Sequence, residues 1–471
     1  MKTARVRRVW HTTPWIPCVI AAAAALASTF TFAVGAADFT PNLLVFDNPS
    51  GRMRTFNANG AIDLKNPFFQ DLGTNGRSCV TCHQPGEAWT ITPPSVQERF
   101  ARTNGADPIF RSNDGANCEG VDAVDGNRAT AYSLLLSKGL IRVGLDLPDY
   151  AEFDVLSVDD PYNCGGPLRK VSVYRRPLPT TNLRFLTAVM WDGRESFPNT
   201  GVEEDLLRQA NIATRGHAEA AIDLTAEERQ QIVTFEMGLA STQTHDNEAG
   251  DLHTQGANGG PIPVAKEPFF IGINDPVGLN PSGAAFNPNV FTLFNAWAGL
   301  TSHHRRTEKR RAIARGQKVF NTRPFTIAGV AGLNGHTFPN GVLVPASING
   351  TCTVCHDTPN AGNHSVKAPL NIGLTDASRR TPDMPLFTLV HRTTREMVET
   401  TDPGRAMITG KWSDIGLFKG PILRALAARA PYFHNGFAAT LEDVVDFYDE
   451  RFAMTLSTQE KSDLVAFLRA L

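Results

Sequence analysis

A strong charge imbalance is missing from this sequence. Its 471 residues carry 45 lysines and arginines against 47 aspartates and glutamates. Nothing in that balance points to nucleic acid, and there is no acidic tail. Long apolar runs are missing too, apart from one near the start, so no later segment is predicted to cross a bilayer. No compact acidic loop of the calcium-binding kind can be read. Cysteine is scarce, seven in all, which makes the placement of each informative. What remains, 42% hydrophobic and 20% charged, is ordinary globular material, long enough for two domains with their own cores.

The one apolar run follows Arg5, Arg7 and Arg8, extends from about Ile16 to Val34 and ends in small residues through Ala37. That order predicts a secretory signal peptide over residues 1–36, cleaved to leave no stable membrane insertion; an uncleaved anchor is the alternative. Cys18 would leave with it. Export to the periplasm permits a bridge between Cys118 and Cys164, which lie in polar, turn-rich sequence.

The other four cysteines sit in two copies of one pattern, Cys79-Val-Thr-Cys82-His83 and Cys352-Thr-Val-Cys355-His356. Two thiols spaced this way can add across the vinyl groups of a haem, and the adjacent histidine then serves as proximal iron ligand. Taken alone, each copy also fits half a zinc site or a redox-active dithiol. The histidine in the same place in both favours two covalently bound haems c.

The two halves share an order of landmarks. Each has the cysteine motif, a long stretch, an aromatic-polar-glycine element (Trp191-Asp-Gly193 and Phe433-His-Asn-Gly436), a helix, and a capped helix. Thr225 and Glu228 have capping-box spacing, repeated by Ser457 and Glu460. The prediction is a mainly α protein, two c-type cytochrome domains related by duplication with long loop insertions. The boundaries are 37–245 for the first domain, 246–300 for a connection with an inserted loop, and 301–471 for the second. Residues 91–180 read as elaborated loop with one helix over Ala129–Lys138 and short strands such as Lys170–Arg175. Helices are also expected over Glu203–Gln209, Leu224–Ala240, Glu308–Phe320 and Leu441–Glu450.

At Trp191-Asp-Gly-Arg194 and at Ala430-Pro-Tyr-Phe-His-Asn-Gly436, followed by Thr440-Leu-Glu-Asp-Val-Val445, the sequence resembles the bacterial di-haem cytochrome c peroxidase family, including its MauG-like branch. The resemblance implies a peroxide-reacting haem on His83 and an electron-transfer haem on His356. It also implies a calcium ion between the domains, Trp191 lying between the haems, and Arg194 organising the same interface. In much of the family a methionine fourteen residues after the histidine of the Y-F-H element ligates the second iron. Here that position is Tyr448, as in the MauG-like branch, and Met454 lies six residues further on. An anionic phenolate favours the oxidised iron, whereas a thioether raises its potential. Such a haem suits shared storage of oxidising equivalents through Trp191.

The family lines its peroxide side with a glutamine and, ten residues on, a glutamate. Gln209 and Glu219 have that spacing, without the prolines usual between them. His217 is a rival base, because imidazole titrates at about pH 6.5 and suits reversible proton transfer. Residues two apart on a helix do not share a face, so His217 and Glu219 are not expected to act together. The function this implies is a periplasmic peroxidase that reduces hydrogen peroxide with electrons from a small periplasmic donor. The alternatives are a MauG-like oxidase acting on a partner protein, a di-haem oxygenase on an apolar substrate, and a plain electron-transfer cytochrome. A homodimer is compatible with all of them.

Overall fold

The computed structural model describes residues 39–121 and 126–471. The expected signal peptide and Cys18 lie outside the described residues. From Asp38 onwards the chain forms one compact unit. Among the described residues, no helix is long and apolar enough to cross a membrane.

Six helices frame the fold: α1 (Pro93–Thr103), α2 (Val202–His217), α3 (Ala226–Gly238), α4 (Arg305–Thr322), α5 (Leu441–Phe452) and α6 (Thr458–Arg469). Their starts follow local chemistry. Pro93 opens α1, where its missing N–H costs nothing. Thr225, Thr440 and Ser457 cap α3, α5 and α6, each closing a capping box with the acidic residue three positions on. Helices α4 and α6 cross closely at Gly316, where an added Cβ would lie 1.9 Å from the carbonyl oxygen of Asp463. That close approach brings Phe320 of α4 against Phe467 of α6 in the core of the second half.

The mainly α expectation is corrected by the strands. A four-stranded antiparallel sheet joins Leu44–Asn48, Gly51–Asn57, Leu239–Asp246 and Gly250–Asp251. Residues Ile141–Asp146 pair with Lys170–Arg175. A three-stranded sheet sets Phe153–Asp159 against Leu386–His391 and Met397–Thr400, running from Phe153 opposite His391 to Asp159 opposite Leu386 with one register shift between Thr388 and Leu389. These segments are rich in valine, threonine and phenylalanine, which suit a half-buried pleated surface. Their pairing partners lie as far away as Phe153 and His391, so local sequence carries only half of the signal. The architecture is mixed α and β.

Other elements also differ from expectation. The helix expected over Ala129–Lys138 is two short ones, Arg128–Ala131 and Ser133–Lys138, broken at Tyr132. A single helical turn at Leu426–Ala428 lies just before the Pro431-Tyr-Phe-His-Asn-Gly436 element. Cys118 and Cys164 are joined by a disulfide.

Candidate di-haem site

Each cysteine motif folds as one tight helical turn, Cys79–Thr81 and Cys352–Val354. The histidine that follows donates its backbone N–H to the first cysteine, 3.0 Å for His83 to Cys79 and 3.2 Å for His356 to Cys352. Each imidazole then bonds through Nδ1 to a carbonyl six residues on, His83 to Trp89 at 3.0 Å and His356 to Gly362 at 2.6 Å. A carbonyl can only accept, so Nδ1 carries the proton and Nε2 is left as the ligating nitrogen. Burial lowers the proton affinity of both rings, His83 to about 4, with His217 a further charge-repelling neighbour. Both are therefore neutral at pH 7, the form in which imidazole ligates a metal. Phe68 and Phe320 pack beside the two rings at 6.3 and 5.9 Å between centroids.

Cys79, Cys82 and His83 line one open cavity, and Cys352, Cys355 and His356 line another. All four thiols are free. Burial raises their pKa values, to about 12 for Cys352 and Cys355, so they stand as neutral thiols. Two thiols and a neutral imidazole on the wall of a largely apolar cavity fit a covalently attached haem in each half. No cluster of three or more histidine, cysteine, aspartate or glutamate side chains able to hold a metal ion occurs among the described residues. The expected calcium therefore rests on the resemblance alone.

Trp191, Arg176, Pro177, Pro179 and Lys419 line both cavities and form a shared wall. The Trp191 indole donates from Nε1 to the Arg176 carbonyl at 2.8 Å, which fixes its plane. The turn that carries it is held by Asp192, fully buried between Arg175 (2.5 Å) and Arg194 (3.0 Å). Arg175 in turn reaches Asp402 of the second half at 2.7 Å. These cations overcome the burial that would raise Asp192, and hold it at about 2. Arg194 joins this ion-pair network through Asp192.

On the other wall of the first cavity stand Gln209 and His217, both from α2. The helix ends at His217, and Glu219 turns away with φ of 55°. Its carboxylate is exposed, accepts from Asn75 at 3.1 Å, and lines neither cavity. His217 instead bonds through Nδ1 to the buried carboxylate of Asp114. Asp114 is held on its other oxygen by Arg77 at 2.6 Å. Burial works against this carboxylate, but the bonds and charges of His217 and Arg77 win and keep its pKa low. An imidazole oriented by a carboxylate, on the wall of the cavity that holds His83, can exchange a proton through Nε2.

In the second cavity Tyr448 of α5 stands with Cys352, Cys355 and His356. Its ring lies between Phe447 and Phe452, and its hydroxyl has no hydrogen-bond partner among the described residues. Burial, reinforced by the two nearby thiols, raises its pKa. Met454 lines the same cavity.

Sequence reasoning missed Asp114, which sits in a loop that reads as an ordinary turn, about a hundred residues before its partner. It also missed Arg77, two positions before Cys79, although a charged residue that close to the motif was a usable signal. Glu236, an acid interrupting the apolar stripe of α3, proves to line the first cavity; burial raises it to about 8, so it is neutral at pH 7.

No family model matches the chain. Curated relatives do. The chain is 32% identical over 140 residues to cytochrome-c peroxidase IdrP1 of Pseudomonas sp. (strain SCT), a match covering 26% of this chain and 36% of that one. It is 41% identical over 76 residues to cytochrome c551 peroxidase of Nitrosomonas europaea, covering 16% and 23%. The matched stretches thus span about a third or less of those relatives. Among solved structures, a MauG-like protein associated with microbial copper homeostasis is similar over 93% of this chain and 95% of its own, at 17% identity and a TM-score of 0.39. The resemblance to cytochrome c peroxidases read from the haem motifs is therefore found independently by sequence comparison.

Proposed function

We propose that this protein is a di-haem peroxidase, reducing hydrogen peroxide at the cavity of His83 with electrons passed from the cavity of His356. The observation that carries the reading is the shared wall: Trp191 borders both cavities, and each has its own Cys-x-x-Cys-His set. Bound haem iron would supply an open coordination site for peroxide and the redox capacity to split its O–O bond.

The chain's own residues account for the proton. Asp114 holds the Nδ1–H of His217, leaving Nε2 to accept the proton of the near peroxide oxygen and return it to the departing one. Water then leaves, and two electrons with two protons complete the reduction of one peroxide to two waters. Gln209 lines the same cavity and offers an amide to orient the substrate. Trp191, fixed by Arg176, gives electrons a short aromatic bridge from the second cavity. Tyr448, which lines the second cavity with His356, would offer its phenolate oxygen to the iron held there, the feature that favours the MauG-like reading, in which a partner protein is the reductant. We further propose export to the periplasm and a small electron-transfer protein as donor.

The test is to express the chain in a host that matures c-type haem, then measure peroxide consumption with a reduced cytochrome c or an artificial donor. Two moles of one-electron donor oxidised per mole of peroxide supports the reading. Two haems per chain with no peroxide turnover would return the protein to a plain electron carrier.

A further inference from the structure

Seven cationic side chains border the two cavities. Arg77, Arg175 and Arg194 are each paired with a buried aspartate. The other four, Arg176, Lys419, Arg424 and Arg429, have no carboxylate within ion-pair distance among the described residues. Arg176 spends its guanidinium on the carbonyls of Lys138, Ile91 and Arg429. Arg424 leaves Nε and Nη2 without partners, and Arg429 leaves Nε. Lys419 donates only to the Ala188 carbonyl, at 3.0 Å.

Burying a cation with nothing opposite is among the costliest arrangements in a protein. Its trace is visible here: burial alone pulls Lys419 down to about 7, and burial is the largest effect on Arg424, lowered to about 9. Burial and their mutual repulsion lower Arg176 to about 10, and burial lowers Arg429 to about 10. Such a wall calls for anions that arrive with a ligand. Each haem carries two carboxylate side chains, so two haems bring as many negative charges as the wall has unmatched positive ones.

The positions of the four differ in a way that matters. Arg424 borders the first cavity alone, whereas Arg176, Lys419 and Arg429 border both. Lys419 alone is tied to the Trp191 segment at both ends, since its backbone N–H donates to the Trp191 carbonyl at 2.9 Å while Nζ holds Ala188. Both ends are thus tied to the segment that carries the bridging indole. Its two remaining ammonium protons have no protein acceptor.

Resting on the haem reading of these cavities, we propose that Lys419 is a propionate-binding residue shared by the two haems, one ammonium that offsets carboxylate charge from both and so sets both redox potentials together. Arg424 serves the first haem only.

Spectroelectrochemical titration of the haem-loaded protein separates these roles. Loss of a nearby cation stabilises the oxidised iron, so Lys419→Met is expected to lower both midpoint potentials, and Lys419→Arg to leave them near wild type. Arg424→Met is expected to lower the first alone. A single midpoint moved by Lys419→Met, or neither, would overturn the proposal. If neutral variants fail to hold haem, loss of both haems with retention in Lys419→Arg supports it, and loss of one alone overturns it. A wild-type protein lacking two haems per chain would instead remove the underlying reading.

Discussion

The Trp191 indole donates to the carbonyl of Arg176 at 2.8 Å, and both residues border both cavities. This bond makes the indole part of the wall instead of a free side chain. Trp191→Phe is therefore expected to keep the fold, at a cost of about 1 kcal/mol for the orphaned carbonyl, while slowing electron exchange between haems. Rapid mixing of half-reduced protein with peroxide would read this directly. An unchanged inter-haem rate would remove Trp191 from the electron path.

His217 and Glu219 lie two residues apart but have different surroundings, which makes their variants discriminating. His217→Gln should lower kcat/KM for peroxide by about 10²- to 10⁴-fold, the usual worth of a positioned acid–base group. Asp114→Asn should lower it less and disturb the pH profile, since the imidazole loses its orienting carboxylate. Glu219→Gln should change little. Equal losses in His217→Gln and Glu219→Gln would contradict the assignment.

That contrast shows what the sequence could and could not convey. The ten-residue spacing from Gln209 to Glu219 is real, but spacing specifies position only while the helix continues. Here α2 ends at His217, and the left-handed backbone at Glu219 carries its carboxylate outwards. The cysteine motifs, the Trp191 turn and the capped helices were legible because each is a local pattern. Phe153–Asp159 and its partner Leu386–His391 were not, because each completes a sheet whose other half is remote. The same holds for Asp114, whose role is created by a helix end far along the chain. Arg176 and Lys419 acquire meaning only from a wall assembled from both halves.

The second haem's axial ligand can be settled by two variants. Tyr448→Phe keeps the packing between Phe447 and Phe452 and removes only a hydroxyl without a protein partner, so stability should change by less than about 1 kcal/mol. The ferric spectrum of the second haem should change and that of the first should not. Met454→Leu should leave both spectra intact. The opposite pattern would make Met454 the ligand.

Asp192 predicts an acid limit. Its folded pKa is depressed to about 2 from an ordinary value of about 3.9. A depressed carboxylate contributes stability that is full above the unfolded value and lost as pH falls through the folded one. About 2 kcal/mol should therefore disappear between about pH 4 and pH 2. Comparing unfolding of wild type and Asp192→Asn across that range isolates the term. The variant should be less stable at pH 7, by about 3 to 5 kcal/mol, because Arg175 is left partly uncompensated. A wild type as acid-stable as the variant would contradict the network.

The central claim is that peroxide reacts at the His83 haem with its oxidising equivalents shared across Trp191. The most direct test is an optical and low-temperature iron spectroscopic titration of the all-ferric, haem-loaded protein with hydrogen peroxide. The account predicts reaction at one peroxide per protein without prior reduction, with both haem spectra changing and recovering after two electrons from a donor. No spectral change in the ferric protein, or a reaction that appears only after one electron has been added, would contradict it.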